Sequence, residues 1–243
     1  MREALVRQGF RAEADFRWRG HEVLRIEAFA DAVFAFAVTL LIISLEVPKT
    51  FDELLGAMRG FVAFAAGFAM LFWIWTYQFR YFRRYGLQDA VTLWLNAALL
   101  FVVLFYTYPL KFLSTLLSTV WLGGTTEAGA GGAESAMGLA QVAKLMAIYS
   151  GGFMAVFLVF TLLYVHAWRQ RVVLELDDAE ANATREQIQE SAINVVVGGL
   201  SILLAFTGGR SAVWLSVIPY WLMGLLQWAN GSYMRRQRKL IAG

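Results

Sequence analysis

The chain has 243 residues, of which 59% are hydrophobic and only 16% charged, with no cysteine. A soluble domain carries about 25% charged residues, so this composition argues against one, and the absence of cysteine excludes disulfides and thiolate metal sites. The net charge of +3 matters less than where the charges fall.

Residues 1–24 form a mixed-charge arm with scattered Phe and Trp, expected as a short helix lying on the membrane surface. Six apolar stretches then follow, at roughly 25–48, 58–79, 89–111, 141–168, 188–206 and 212–234. Each approaches or exceeds the ~20 residues that a bilayer crossing needs. The expected fold class is all-α, a polytopic membrane protein with six transmembrane helices. The expected organisation is an arm (1–24), a transmembrane domain (25–234) and a basic tail (235–243). Nothing reads as a cleaved signal peptide, because the first apolar run is too long and follows a polar, Arg-rich arm. Pro48 stops the first span, and 51–56 reads as a short amphipathic link. Residues 123–138, rich in Gly, Ala, Ser and Thr, read as a flexible external loop. The acidic stretch 175–190 reads as a connection, helical in part. Gly208–Gly209 marks a tight turn, and Pro219 is expected to bend the sixth helix.

Of the 21 Lys and Arg, all but Lys49, Arg59, Lys111, Lys144 and Arg210 fall on one side of this topology. The positive-inside rule then places both termini in the cytoplasm of a multi-pass protein of the cell (inner) membrane. The Arg80/Arg83/Arg84 group and the basic tail read as anchors near anionic headgroups, not as a nucleic-acid surface. Tryptophans near the span ends suit the membrane interface. Gly151–Gly152 and Gly198–Gly199 lie within spans, where small residues let helices approach closely.

Enzyme chemistry finds no support. There is no HExxH, GxSxG or P-loop. The two histidines, His21 and His166, read as ordinary polar residues at membrane edges.

The first span carries the most information. Projected at about 100° per residue, Phe29, Phe36, Leu40 and Ile43 lie along one stripe, with Thr39 close by. Asp31 falls about 140° away from Phe36, which is expected to turn it into the protein. An acid at membrane depth needs a partner, and Trp75, Gln78, Arg80 and Asn96 are the candidates by depth. Two readings of the stripe stand side by side. In one, it packs against lipid or neighbouring helices. In the other, copies of this helix surround a pore, and the apolar rings form a constriction that gates by dewetting.

The run Arg25-Ile-Glu-Ala-Phe29-Ala-Asp31 resembles the R-x-x-x-F-S-D signature of the potassium channel family typified by transmembrane protein 175. The resemblance continues from Val33 through Leu40 to Glu46-Val47-Pro48. It returns in Trp75-Thr-Tyr-Gln78-Phe-Arg80-Tyr-Phe82, and again at Asn96 and Thr107-Tyr108-Pro109. It implies a homotetramer of six-helix subunits in the lipid bilayer, with the first helix around the axis. It also implies passive permeation of potassium, with no cofactor beyond the permeant potassium ion and no nucleic-acid partner. In that family, positions matching Phe36, Leu40 and Ile43 form the constriction, and the Thr matching Thr39 aids selectivity. Arg25, Phe29, Asp31, Trp75, Gln78 and Asn96 fall at structural signature positions. The sequence departs from the pattern at Ala30 (Ser in the signature), Phe36 (usually Ile or Leu), Gln78 (usually His) and Thr107 (usually Pro). The rival readings are a secondary transporter for a cation or small solute, which would need a midplane polar site, and a structural or assembly protein.

Overall fold

The computed structural model describes residues 16–20, 22–42, 50–122, 139–207, 218–220 and 222–223. Five long helices run in chain order: α1 (Arg25–Ile42), α2 (Phe51–Tyr85), α3 (Ala90–Leu122), α4 (Leu139–Arg169) and α5 (Asp178–Thr207). Within the described residues, three segments are long and apolar enough to cross a membrane: Ala90–Leu110, Lys144–Arg169 and Asp178–Thr207. The expected loop at 123–138, the turn at Gly208–Gly209, the tail and most of the sixth span lie outside the described residues, as do 43–48 of the first span. The expected link at 51–56 is instead the first turns of α2.

Local chemistry sets the helix ends. At α1, Glu27 reaches back to the Leu24 amide at 2.8 Å, satisfying a donor that has no intrahelical acceptor. α2 ends in Arg83 and Arg84, cations suited to the negative end of the helix dipole. Gly86 then turns the chain with a φ of 59°, while its amide donates to the Phe82 carbonyl at 2.9 Å, a glycine stop. α5 opens on a reciprocal cap. The Glu180 amide donates to Asp177 Oδ1 at 2.7 Å, and the Asp177 amide donates to Glu180 Oε2 at 3.3 Å. The acidic stretch is thus helical from Asp178, in line with its expected partial helicity.

α1 packs on α2 and α3, α2 on α3, α3 on α4, and α4 most extensively on α5. One glycine of each pair makes this packing possible. A Cβ at Gly152 would lie 2.1 Å from the Tyr106 ring, and one at Gly198 would lie 2.9 Å from Met154 Cβ. Gly151 faces open space. Between α2 and α4 sits an aromatic core in which Tyr81, Tyr85, Phe157, Phe160 and Tyr164 are all buried.

The described part of the arm is not a helix. Residues 16–20 run as a strap across the α2 terminus. The Arg19 and Gly20 amides donate to the Arg83 carbonyl at 3.1 and 3.2 Å, and Arg83 Nη1 returns a bond to the Gly20 carbonyl at 2.9 Å. Only glycine fits there, since a Cβ would sit 2.6 Å from the Phe82 carbonyl oxygen. Arg19 then pairs with buried Glu180 at 2.5 Å, and the Arg17 amide donates to the same carboxylate at 2.7 Å. Backbone bonds to the Arg83 carbonyl and the buried Arg19–Glu180 pair hold this stretch in its extended course.

Candidate functional site

The α1 helix has two unlike faces. Ala30, Phe34, Ala37 and Leu41 are buried against α2 and α3. On the opposite side Ala28, Phe29, Ala32, Ala35, Phe36 and Thr39 are exposed, with Phe29 at 63% and Phe36 at 55%. Leu40 is half-buried at the border. Ile43 lies outside the described residues. Thr39 Oγ1 donates to the Ala35 carbonyl at 2.9 Å, so its oxygen lone pairs remain available as acceptors. Three alanines along the middle of the exposed face permit another helix to come close.

Asp31 differs from expectation in direction. It is on the exposed side of α1, at the edge facing α2. The reason is Trp75, whose indole Nε1 donates to Asp31 Oδ1 at 2.7 Å. The long indole reaches out from α2 to meet the acid, so the carboxylate need not turn inward. Of the four candidate partners, Trp75 is the one found. Beside this pair a hollow of about 260 Å³ opens between α1 and α2, lined by Val38, Phe68 and Phe72 among others. Along α2, Phe61, Phe64, Phe68, Phe72, Trp75 and Phe79 form a ladder of ring contacts with centroids 5.4–6.2 Å apart.

Gln78 and Asn96 form a second pair. Gln78 Nε2 donates to Asn96 Oδ1 at 2.8 Å, and both side chains are buried. A buried amide pair of this kind fixes the register of α2 against α3, because each leaves the other unsatisfied if it moves. Arg80 stacks over the Tyr77 ring at 5.7 Å. Arg25 is exposed at the start of α1, and none of the described hydrogen bonds or ion pairs involves it.

Sequence reasoning passed over Glu27. It is buried, holds the α1 start, and lies 3.9 Å from Arg83 Nε. The signal was present, since an acid three residues into a helix is a capping position. It also passed over Tyr77, whose hydroxyl donates to Glu190 of α5 at 2.6 Å. His166 lies in the last turn of α4 and meets Asp89 at 2.7 Å. Among the described residues no cluster of His, Cys, Asp and Glu has the makings of a metal site.

The segment that holds both pairs matches a known family. A model described as "Endosomal/lysosomal potassium channel TMEM175" covers residues 25–106. A Marivirga tractuosa protein named "Potassium channel" is 40% identical over 195 residues, spanning 78% of this chain and 77% of that protein. The chain belongs to the TMEM175 family. A family potassium channel from Chamaesiphon minutus is 28% identical over 206 residues, spanning 81% and 88% of the two chains. Among solved structures, a threonine-to-alanine variant of the potassium channel MtTMEM175, crystallised with a nanobody fusion protein, superposes with a TM-score of 0.81. It is 35% identical, covering 91% of this chain and 97% of that one. A Chamaesiphon minutus family structure, described as a lysosomal potassium-selective channel homologue, gives 0.51 at 25% identity, covering 86% and 96%. The TMEM175 match covers Asp31, Trp75, Gln78 and Asn96 together, so the two hydrogen-bonded pairs belong to the family's shared segment. The family consists of ion channels and not enzymes.

Proposed function

We propose that the chain is a passive cation channel, selective for potassium, built as a homotetramer of six-helix subunits. In this reading α1 surrounds the axis, and Phe36, Leu40 and Ile43 form a hydrophobic constriction, with Thr39 as the selectivity layer. The protein sits in the cell (inner) membrane with both termini in the cytoplasm, divided into the arm, the six-helix channel domain and the basic tail.

One observation carries this reading. α1 buries one face on α2 and α3 and leaves Phe29, Phe36 and Thr39 exposed. Aromatic rings and a hydroxyl on one helix face, beside small alanines, suit contact with other copies of the same helix around water. The names of the relatives, all potassium channels, point to the permeant ion. Asp31, Trp75, Gln78 and Asn96 have a supporting role in this scheme. They hold α1 to α2, and α2 to α3, and do not touch the ion. Arg25 stands at the mouth, and Phe29 packs between copies.

The mechanism is dewetting. A narrow ring of apolar side chains disfavours a continuous water column, so the path conducts only when the ring widens enough to hydrate. Thr39 oxygens then offer ligands to a partly dehydrated cation. The test is reconstitution of the full chain in liposomes with separate potassium, sodium and caesium gradients. Potassium flux exceeding sodium flux, with unitary current steps in a planar bilayer, is the expected result. Slow, saturable exchange or no flux would overturn it.

A further inference from the structure

At the end of α4, two guanidiniums gather on one indole. The Arg185 guanidinium carbon is 4.3 Å from the Trp168 ring centroid, and that of Arg171 is 5.1 Å away. Arg185 comes from α5 and Arg171 from the α4–α5 connection, so two elements converge on the ring. Arg171 Nη1 also approaches the Trp168 carbonyl at 3.4 Å. Cation–π attraction places both cations near an amphipathic ring, and like charges so close repel unless an anion joins them.

No carboxylate of the connection fills that place. Glu180 is taken by Arg19, Glu175 lies 3.8 Å from Arg17, and Asp177 caps the α5 start. Among the described residues neither Arg171 nor Arg185 is in an ion pair. Both are exposed.

The surroundings indicate the missing anion. Trp168 closes an apolar segment long enough to cross a bilayer, Lys144–Arg169, which puts its ring at the level where tryptophan meets headgroups. Val172 and Val173 follow Arg171 directly, and each is 78% exposed. The connection holds them in place with turn bonds, including the Leu174 amide to the Gln170 carbonyl at 2.9 Å and the Leu176 amide to the Arg171 carbonyl at 3.0 Å. Exposed valines on a fixed turn beside unpaired cations suit the boundary between headgroups and acyl chains.

We infer that Trp168, Arg171 and Arg185 form a binding site for the phosphate of an anionic phospholipid headgroup. Guanidiniums bind phosphate through paired N–H donors, and stacking on Trp168 sets their planes. The inference rests on α4 and α5 crossing a membrane, and not on the pore reading.

The test is native mass spectrometry of the purified full chain with phosphatidylglycerol or phosphatidylcholine. Wild type is expected to retain phosphatidylglycerol in preference. Removing each arginine is expected to weaken retention roughly fivefold, so R171Q/R185Q should lose the preference, whereas K144Q at the other end of α4 should keep it. R171K/R185K should retain part of it, since lysine keeps the charge without the stacked plane. Trp168→Leu, with both arginines intact, should weaken retention. If inorganic phosphate at millimolar concentration displaces the lipid completely, the site takes free phosphate and the lipid assignment fails. Equal retention of phosphatidylglycerol by wild type and R171Q/R185Q would also overturn it. Each variant is checked for folding by its elution profile and for potassium flux in liposomes. Flux in wild type without lipid preference would sink this site and leave the channel reading standing.

Discussion

Trp75 and Asp31 join α2 to α1 through one hydrogen bond of 2.7 Å, made at the outer edge of the helix pair. The bond needs an acceptor on α1 and a donor on α2, and it does not need a charge. Asp31→Asn keeps an acceptor and should change stability by less than about 1 kcal/mol. Trp75→Phe removes the donor at an exposed position where water can take its place, and should cost about 0.5–1.5 kcal/mol. Thermal unfolding of the reconstituted protein measures both. A folded Asp31→Asn variant with unchanged stability and altered ion preference would show that the acid acts on the ion instead.

The Gln78–Asn96 pair predicts strong coupling. Asn96→Leu alone buries an amide with no acceptor and should cost about 1–3 kcal/mol. Gln78→Leu with Asn96→Leu should cost less than the two singles added together. A double-mutant cycle by chemical denaturation checks this, and simple additivity would show that the pair is not a unit.

Phe36 separates stability from conduction. Its ring is 55% exposed within the chain, so Phe36→Ala should shift the unfolding of one subunit by no more than about 0.5 kcal/mol. If the ring narrows a pore, the same change raises cation leak severalfold in liposomes. Unchanged flux would move the constriction elsewhere.

The two glycines of one pair should behave oppositely. Gly152→Ala drives a methyl into the Tyr106 ring and should cost about 1–3 kcal/mol by overpacking. Gly151→Ala meets nothing within 4 Å and should be neutral or slightly stabilising, because alanine favours helix. Melting temperatures of the two variants decide it.

Asp89 supplies a pH prediction. Burial alone would raise its carboxyl pKa, but hydrogen bonds from Thr92 and the nearby His166 outweigh this and hold it below its ordinary value of 3.8. A carboxylate with a lowered folded pKa contributes stability that is present above its unfolded pKa and lost as pH falls through the folded one. The carboxylate is about a third exposed and screened by water, so Asp89→Asn should cost only a few tenths of a kcal/mol at pH 7, with the difference from wild type closing as pH falls below 3.8. Unfolding curves at pH 7, 5 and 3.5 test the trend.

The legible part of the molecule was whatever repeats along a helix. Apolar run lengths located α3, α4 and α5 to within a few turns, and the α1 stripe picked out Phe29 and Phe36 as one face without saying whether it packs on lipid, on neighbouring helices or around a pore. The carriers of long-range pairing were harder to read. Depth along the helices leaves Trp75 as one of four candidate partners for Asp31 without selecting it, and Glu180 reads as one acid among several in the acidic connection until the fold brings Arg19 to it. Asp31 was misdirected for a related reason. Helical projection gives an angle but not the length of the neighbour's side chain, and Trp75 is long enough to meet the acid on the outside. The amphipathic link expected at 51–56 is continuous with α2, which begins at Phe51, because propagation of a long helix carries polar residues in its first turns.

The Arg19–Glu180 contact joins residues 161 positions apart. During translation the guanidinium is made early, and its carboxylate emerges only after four helices have been made and a fifth begun. The entry of the first helix is therefore latched only after 180 of the 243 residues have been made. A nascent chain stalled before the fifth helix would carry its early helices without that latch, leaving the Arg19 guanidinium without the carboxylate it meets in the finished fold.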